Sequence, residues 1–353
     1  MKRTRIFSDN FIVKYKVEEN FELVNIFDSD IPFLILRTSF ENSFYYFNRF
    51  KLSISDLKFI PFKSNPHQIK IALIANSFED MRLGTRLIRD FNLLKQNQAE
   101  VFIIPVGYDW NLTEEEALFY RKFIAEHFDL LISLGGDDVH PSLYDQPNIN
   151  SKNVNYDRDL SEFNLIKYFK AHSQGVFFGI CRGHQLSAVV DGYQLVQDLG
   201  EIHSSCLTKH QKNIDNKPEY LFHEILIKPS LLSRLLGFKD KIEKVVSVNS
   251  YHHQAVKNNN LSQKICCVAF DTEHDIIEAL ITNEGKSISV QFHPELPEEM
   301  NKNAEFTEFG YKFIRRVISY SRLNRFRNKK QTPAINTNSP QEFVLSKLKA
   351  NGS

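Results

Sequence analysis

Cys181 ends an apolar run in "VFFGICRGHQ", Val176 to Gln185, with Gly179 two residues before it and Gly183 two after. A thiol nucleophile at the end of a strand needs that spacing. Its sulfur must leave the sheet on a sharp, strained turn, and a side chain two positions either way would collide inside the turn. A helix from Arg182 to Asp191, closed by Gly192, would then aim its N-terminal N–H groups at the sulfur. There they favour thiolate and can donate to an oxyanion. A buried packing cysteine is the other reading of so short a pattern, so the chemistry rests on what accompanies it.

A thiolate needs a base, and the base needs an orienting group. "SVQFHPE" supplies both, because His293 and Glu295 follow directly on an apolar strand, Ser287 to Phe292. Pro294 holds the residue before it extended, and a carboxylate two residues beyond the imidazole can fix its tautomer. Alone, His-Pro-Glu reads as a surface loop. With the cysteine turn in the same chain, His293 reads as the base and Glu295 as its orienter.

In "LISLGGDDVHPSLY", Gly135 and Gly136 follow a buried strand, where backbone can approach a ligand closely. The Gly136 amide and the N–H of Arg182 would form the two-donor hole that acyl transfer requires. Asp137 and Asp138 could instead bind a divalent metal, although no other carboxylate cluster accompanies them. In "SVNSYHHQAV", His252 and His253 are adjacent, and neighbours on a strand face opposite ways, so the two cannot readily share one ion. They read as a polar loop lining a substrate site. Cys266 and Cys267 read as packing residues on either side of a strand, and Cys206 lies in a polar loop with no evident partner.

The elements that must position these groups are legible in the patterning. "IKIALIA" (69–75), "AEVFIIP" (99–105), "DLLISLGG" (129–136) and "GVFFGI" (175–180) read as buried strands. Helical stretches separate them: "MRLGTRLIRDFNLLK" (81–95), "TEEEALFYRKFIAEHF" (113–128), with Thr113 and Glu116 as a capping box, and "DRDLSEFNLIKYFKAH" (157–172). Such alternation predicts a flavodoxin-like α/β domain, a mostly parallel sheet with helices on both faces. The strand-rich later part, "EKVVSVNS", "KICCVAF", "IIEALIT" and "SISVQF", predicts an antiparallel extension. A helix from Ala304 to Tyr320, with Phe306, Phe309, Phe313 and Val317 on one side, closes the domain. The expected organisation is an N-terminal extension of unknown role over 1–66, the domain over 67–320, and a basic, flexible tail over 321–353.

The bulk numbers bound the function. The 353 residues carry 44 basic and 43 acidic side chains, which offers no electrostatic case for nucleic acid or a membrane surface. Four cysteines in so long a chain are no disulfide framework, and none form a CxxC pair. No apolar run is long enough to span a bilayer, and the basic N-terminus lacks the pattern of a signal peptide, so a cytoplasmic protein is expected.

Taken in order, "GGDDVHPSLY", "RD" at Arg158–Asp159, "GICRGHQ", "QDL" at 197–199, "VNSYHHQ" and "VQFHPE" resemble the class I glutamine amidotransferase superfamily. More narrowly the set resembles its peptidase C26 branch, the bacterial γ-glutamyl-γ-aminobutyrate hydrolases and relatives, over about 68–320. The resemblance implies a Cys181–His293–Glu295 triad and hydrolysis of a γ-glutamyl amide through a thioester, with no cofactor and no metal. It also implies that Gly135, Gln185, Ser250 and His252 contact a small γ-glutamyl substrate. A glutaminase subunit serving a separate synthetase, a homo-oligomer, and a binding or regulatory module acting through the N-terminal extension stay open. The chain departs from the family at Val190-Asp191-Gly192-Tyr193, where two glycines are usual, and at Phe292, where Trp is common.

Overall fold

The computed structural model describes residues 21–26, 31–36, 68–75, 99–104, 106 and 114–329, apart from 216, 240, 259–265, 275, 297–299 and 301. The expected helix over 81–95 and the Thr113 cap lie outside these residues. One sheet organises the domain. Its parallel centre runs β2 (Ile31–Leu36), β4 (Ala99–Ile104), β3 (Ile69–Ile74), β5 (Leu130–Ser133), β6 (Val176–Ile180), β15 (Ser287–Val290). Beyond β15 it continues antiparallel through β14 (Ile277–Thr282), β13 (Cys266–Asp271), β10 (Leu221–Ile227) and β11 (Lys244–Ser250). The short β7 (Leu195–Val196) and β12 (Ala255–Val256) pair beside β14, and β8 (Lys212–Ile214) forms a separate ribbon with β9 (Lys217–Glu219). This is the mostly parallel α/β sheet with an antiparallel extension that the sequence predicts.

Burial explains the two halves. Strands β3, β5, β6, β14 and β15 are buried at every position, as a sheet covered on both faces requires. In β10 buried positions alternate with half-buried or exposed ones, and the first half of β11 has no buried position, as in an antiparallel sheet with one face in solvent. The two covered faces can be followed on β6. Phe178 points to one face and packs edge-on against Phe313 of α6 (Ala304–Lys329), with ring centroids 5.7 Å apart. The same helix holds α5 (Leu231–Leu236) through Arg316, which donates to the Leu235 carbonyl. The neighbour of Phe178, Gly179, points the other way, against Gly183 in α3 (Arg182–Val190). Behind α3 lies α2 (Tyr156–His172), capped by Asn155, whose side chain accepts from the Arg158 amide. In front of α2 comes α1 (Glu114–His127).

Two expected boundaries move. The closing helix continues past Tyr320 to Lys329, so 321–329 belongs to the domain. Ser321 is buried, Asn324 donates to the Gln174 carbonyl, and Arg325 pairs with Asp129 at 2.8 Å. The basic character that suggested a tail is used here to dock a helix end. The N-terminal region also joins the sheet, as a hairpin of β1 (Phe21–Ile26) and β2, with Phe33 opposite Ile103 of β4.

Candidate functional site

Because β5, β6 and β15 are parallel neighbours, their C-terminal ends open on the same edge of the sheet, where open α/β sheets bind ligands. The loops leaving them carry Gly135–Gly136, Cys181 and His293–Glu295. They meet around a cleft of about 690 Å³.

Cys181 stands between β6 and α3 with φ 51° and ψ −106°, a conformation that non-glycine residues rarely adopt. The turn closes tightly beneath it: a Cβ on Gly179 would lie 2.6 Å from the Gly183 carbonyl oxygen. The Cys181 amide donates to Val290 of β15 and its carbonyl accepts from Gln185, which pins the turn on both sides. Gly136 and Arg182 line the cleft with Cys181, and no hydrogen bond from either amide is found among the described residues.

His293 begins the loop after β15. Its Nδ1 lies 2.7 Å from Glu295 Oε1, both side chains being 9% exposed, and its Nε2 is buried without a hydrogen bond. Burial alone disfavours a charged imidazole. The negative charges of Cys181 and Glu295 outweigh it and hold His293 well above the ordinary histidine range. Two features fix the ring that the sequence reading did not identify. Asn249, at the end of β11, clamps the His293 backbone, donating to its carbonyl at 2.9 Å and accepting from its amide at 2.8 Å. Gly310 lets α6 press on the same loop, since a Cβ there would meet the Pro294 carbonyl at 2.2 Å. Gly135 serves in a similar way, for a Cβ there would reach 3.0 Å from the His293 ring. A glycine inside an amphipathic helix was the one available signal for Gly310.

Arg182 does more than offer an amide. Its buried guanidinium bonds Asp159 at 2.6 Å and Glu162 at 2.7 Å; Asp159 also binds Arg158, and Glu162 accepts from Ser133 at 2.6 Å. Burial opposes the Arg182 charge, and the two carboxylates more than restore it. The "RD" pair and β5 are thereby tied to the start of α3.

Gln185 is buried in the cleft wall and donates to the Gln254 carbonyl and to Gln291 Oε1; Gln291 in turn donates to Cys181 Sγ at 3.5 Å. Gln291 lies inside "SVQFHPE", where nothing in the pattern marks it beside His293. Tyr220 adds an aromatic wall, its ring edge-on to His293 at 5.6 Å. His252 and His253 both line the cleft and diverge. His253 reaches Asp138 at 2.9 Å, whereas His252 turns its Nε2 to Glu278 at 3.9 Å. Asp137 is engaged by Arg158 at 3.4 Å. Ser250 is not in the cleft. It is fully buried, and its hydroxyl donates to the His210 carbonyl and lies 3.1 Å from His210 Nδ1.

The remaining cysteines are unlike Cys181. Cys206 sits on α4 (Ser204–His210), not in a polar loop, fully buried beside Leu199, Ala255 and Ile276, and burial pushes its thiol up to about 11. Cys267 lies 3.4 Å from the Tyr193 hydroxyl. Asp191, which stands in place of a usual glycine, caps α3 and pairs with Lys170 at 2.5 Å.

The mostly parallel α/β fold and the matching family place the chain in the class I glutamine amidotransferase-like superfamily. Within it the chain belongs to the peptidase C26 family, whose model matches residues 92–295. Protein NtpR of Enterococcus hirae is 35% identical over 62% of this chain and 91% of its own length. A Schizosaccharomyces pombe protein, named provisionally as a glutamine amidotransferase, is 32% identical over 50% of this chain and 65% of its own, just under two thirds. Among solved structures, a Thermoplasma acidophilum protein named provisionally as part of a GMP synthase matches at 17% identity and TM-score 0.48. The alignment covers 74% of this chain and 98% of that one. No described helix is long and apolar enough to cross a membrane.

Proposed function

We propose that the chain is a cysteine-dependent hydrolase of γ-glutamyl amides, with Cys181 as nucleophile, His293 as general acid and base, and Glu295 as its orienter. The observation that carries this reading is the 2.7 Å contact between His293 Nδ1 and Glu295 beside a cysteine held at φ 51°. Glu295 keeps one imidazole nitrogen occupied and directs the other toward the reacting atoms. The raised proton affinity of His293 supports a protonated imidazole at neutral pH, which is what a leaving amine needs.

The reaction then balances with this chain's own groups. The Cys181 thiolate adds to the γ-carbonyl carbon, and the oxyanion is received by the Gly136 and Arg182 amides. The C–N bond breaks, the amine leaves with the His293 proton, and a thioester remains. A water attacks the thioester while giving its proton to His293. The C–S bond then breaks, restoring the thiolate and releasing the γ-carboxylic acid, which gives its proton to the freed amine or to solvent. Gly135, Gln185 and His252 stand along the cleft wall where the γ-glutamyl portion would lie.

Assay of the isolated chain against γ-glutamyl amides of primary amines, with glutamine in the panel, tests the reading. Multiple turnovers are expected, with kcat/KM higher for a substituted amide than for glutamine. Glu295→Gln should lower kcat by about 10²- to 10⁴-fold while Cys181 remains open to alkylation. A chain silent on every amide alone, but releasing ammonia from glutamine once a synthetase is added, would replace this reading with a glutaminase subunit.

A further inference from the structure

We infer that the chain holds a divalent transition metal ion of the zinc class behind the cleft wall, on His210, His252 and Glu278, with His223 as the fourth ligand. Of these groups only His252 reaches the cleft, as part of its wall, and the inference does not depend on the proposed hydrolysis. The four residues come from separate elements: the end of α4, the loop after β11, β14 and β10. Ligand atoms of His210, His252 and Glu278 all lie within 4.8 Å of one another. His223 Nε2 lies 3.5 Å and His252 Nε2 3.9 Å from Glu278 Oε1. Donors around a tetrahedral zinc are separated by about 3.3 Å, so groups spread over up to 4.8 Å would close by as much as about 1.5 Å on binding, with His223 swinging in from the Glu278 side.

Their hydrogen bonding is that of ligands. None of the four residues is more than 9% exposed. Yet Nε2 of His210, Nε2 of His252, both nitrogens of His223 and both oxygens of Glu278 have no hydrogen-bond partner. Such groups are costly to bury unless something binds them. The opposite ring atoms are engaged in the manner of a metal site. His252 Nδ1 donates to the Gln254 carbonyl at 2.9 Å. The Ser250 hydroxyl spends its own hydrogen on the His210 carbonyl, so its oxygen accepts from His210 Nδ1. Both contacts fix the tautomer with a lone pair on Nε2, aimed into the cluster.

Nearby groups fit less well. Asp271 turns its Oδ2 to His210 Nε2 at 3.8 Å and makes a second possible set with His210 and His223, but its Oδ1 accepts from the amides of Glu273 and His274, which holds the carboxylate in its own turn. Cys206 holds its proton tightly. Imidazole and carboxylate donors suit zinc, and a closed set of four leaves the ion no open position for water. An ion there would tie α4, β10 and β14 to the loop that presents His252 and His253 to the cleft. His210, His223 and Glu278 do not line the cleft, so the site shapes its wall without entering the chemistry. The rival occupant of the cluster is a proton on His223, whose Nε2 lies 3.5 Å from Glu278 Oε1.

Metal analysis of the full chain, followed by chelation and titration with Zn²⁺ and with Co²⁺ as a spectroscopic probe, decides between them. One equivalent per chain is expected, with the visible absorption of tetrahedral Co²⁺ and a rise in Tm on Zn²⁺ addition. Cys181→Ala should keep the Co²⁺ band, whereas His210→Ala and Glu278→Gln should lose it. A wild-type chain that binds neither ion overturns the inference and leaves the proton in place. So does a Co²⁺ band that survives in both ligand variants. The wild-type titration decides even where a variant fails to fold, and none of these readings depends on turnover.

Discussion

A Cβ added to Gly183 would lie 2.3 Å from the carbonyl oxygen of Ser133, closer than any real side chain tolerates. The first turn of α3 thus packs directly on the end of β5, and the Gly183 amide donates to Leu134 there. Gly183→Ala must push α3 off the strand. The expected cost is about 1–3 kcal/mol in urea unfolding, together with loss of amide hydrolysis, because Cys181 and the Arg182 amide move with the helix. An alanine variant with wild-type stability and activity would mean that the contact is loose.

Cys181 carries backbone strain that its proposed role would justify and its packing would not. Replacing it by glycine, which adopts φ 51° without penalty, should stabilise the fold by about 1 kcal/mol and abolish turnover. Cys181→Ala should be equally inactive and no more stable than wild type. In the native chain, iodoacetamide near neutral pH should reach Cys181 before Cys206, whose thiol is buried and held up to about 11. Mass spectrometry of the labelled peptides gives the order. Equal labelling would remove the distinction.

His184, on the inward side of α3, is fully buried between Ser289 Oγ at 2.8 Å and the Ile277 carbonyl at 3.4 Å, and burial lowers it to about 4. Its folded pKa lies below the unfolded value of 6.5, so between the two the unfolded chain binds the extra proton. The stability gained by keeping this imidazole neutral is complete above that upper value and is lost as pH falls toward the lower one. Urea unfolding across this window should show a slope from this group of up to about 1.4 kcal/mol per pH unit. His184→Gln should flatten it, and parallel slopes in the two proteins would remove His184 from the acid response.

The N-terminal hairpin caps an edge of the parallel sheet, because β2 pairs with β4. Deleting residues 1–66 would bare the β4 edge, and an unpaired edge invites pairing with another chain. Lower stability and self-association are expected, read by urea unfolding and light scattering. A truncated chain that stays monodisperse and equally stable would make the hairpin dispensable.

The residues that meet at the cleft were legible in the sequence because their spacing is local. Gly179, Cys181 and Gly183 are spaced by the turn that they occupy, and His293 and Glu295 by the strand end that they follow. The buried strands were equally legible, since a sheet covered on both faces writes continuous apolar runs into the chain. Contacts made across long loops left no such mark. Asn249 clamps a histidine 44 residues away, and Gly310 of α6 makes room for the Pro294 carbonyl. The helix end at 321–329 looked like a tail because the partners of its basic residues, among them Asp129, lie in other elements. Glu278 is the one polar residue between the isoleucines and alanine of "IIEALIT", and only the fold brings His210, His223 and His252 around it. Local periodicity and turn geometry are set by neighbours in the chain, so sequence alone determines them. Which buried polar atoms face one another depends on strand order and helix docking, and that only the tertiary structure decided.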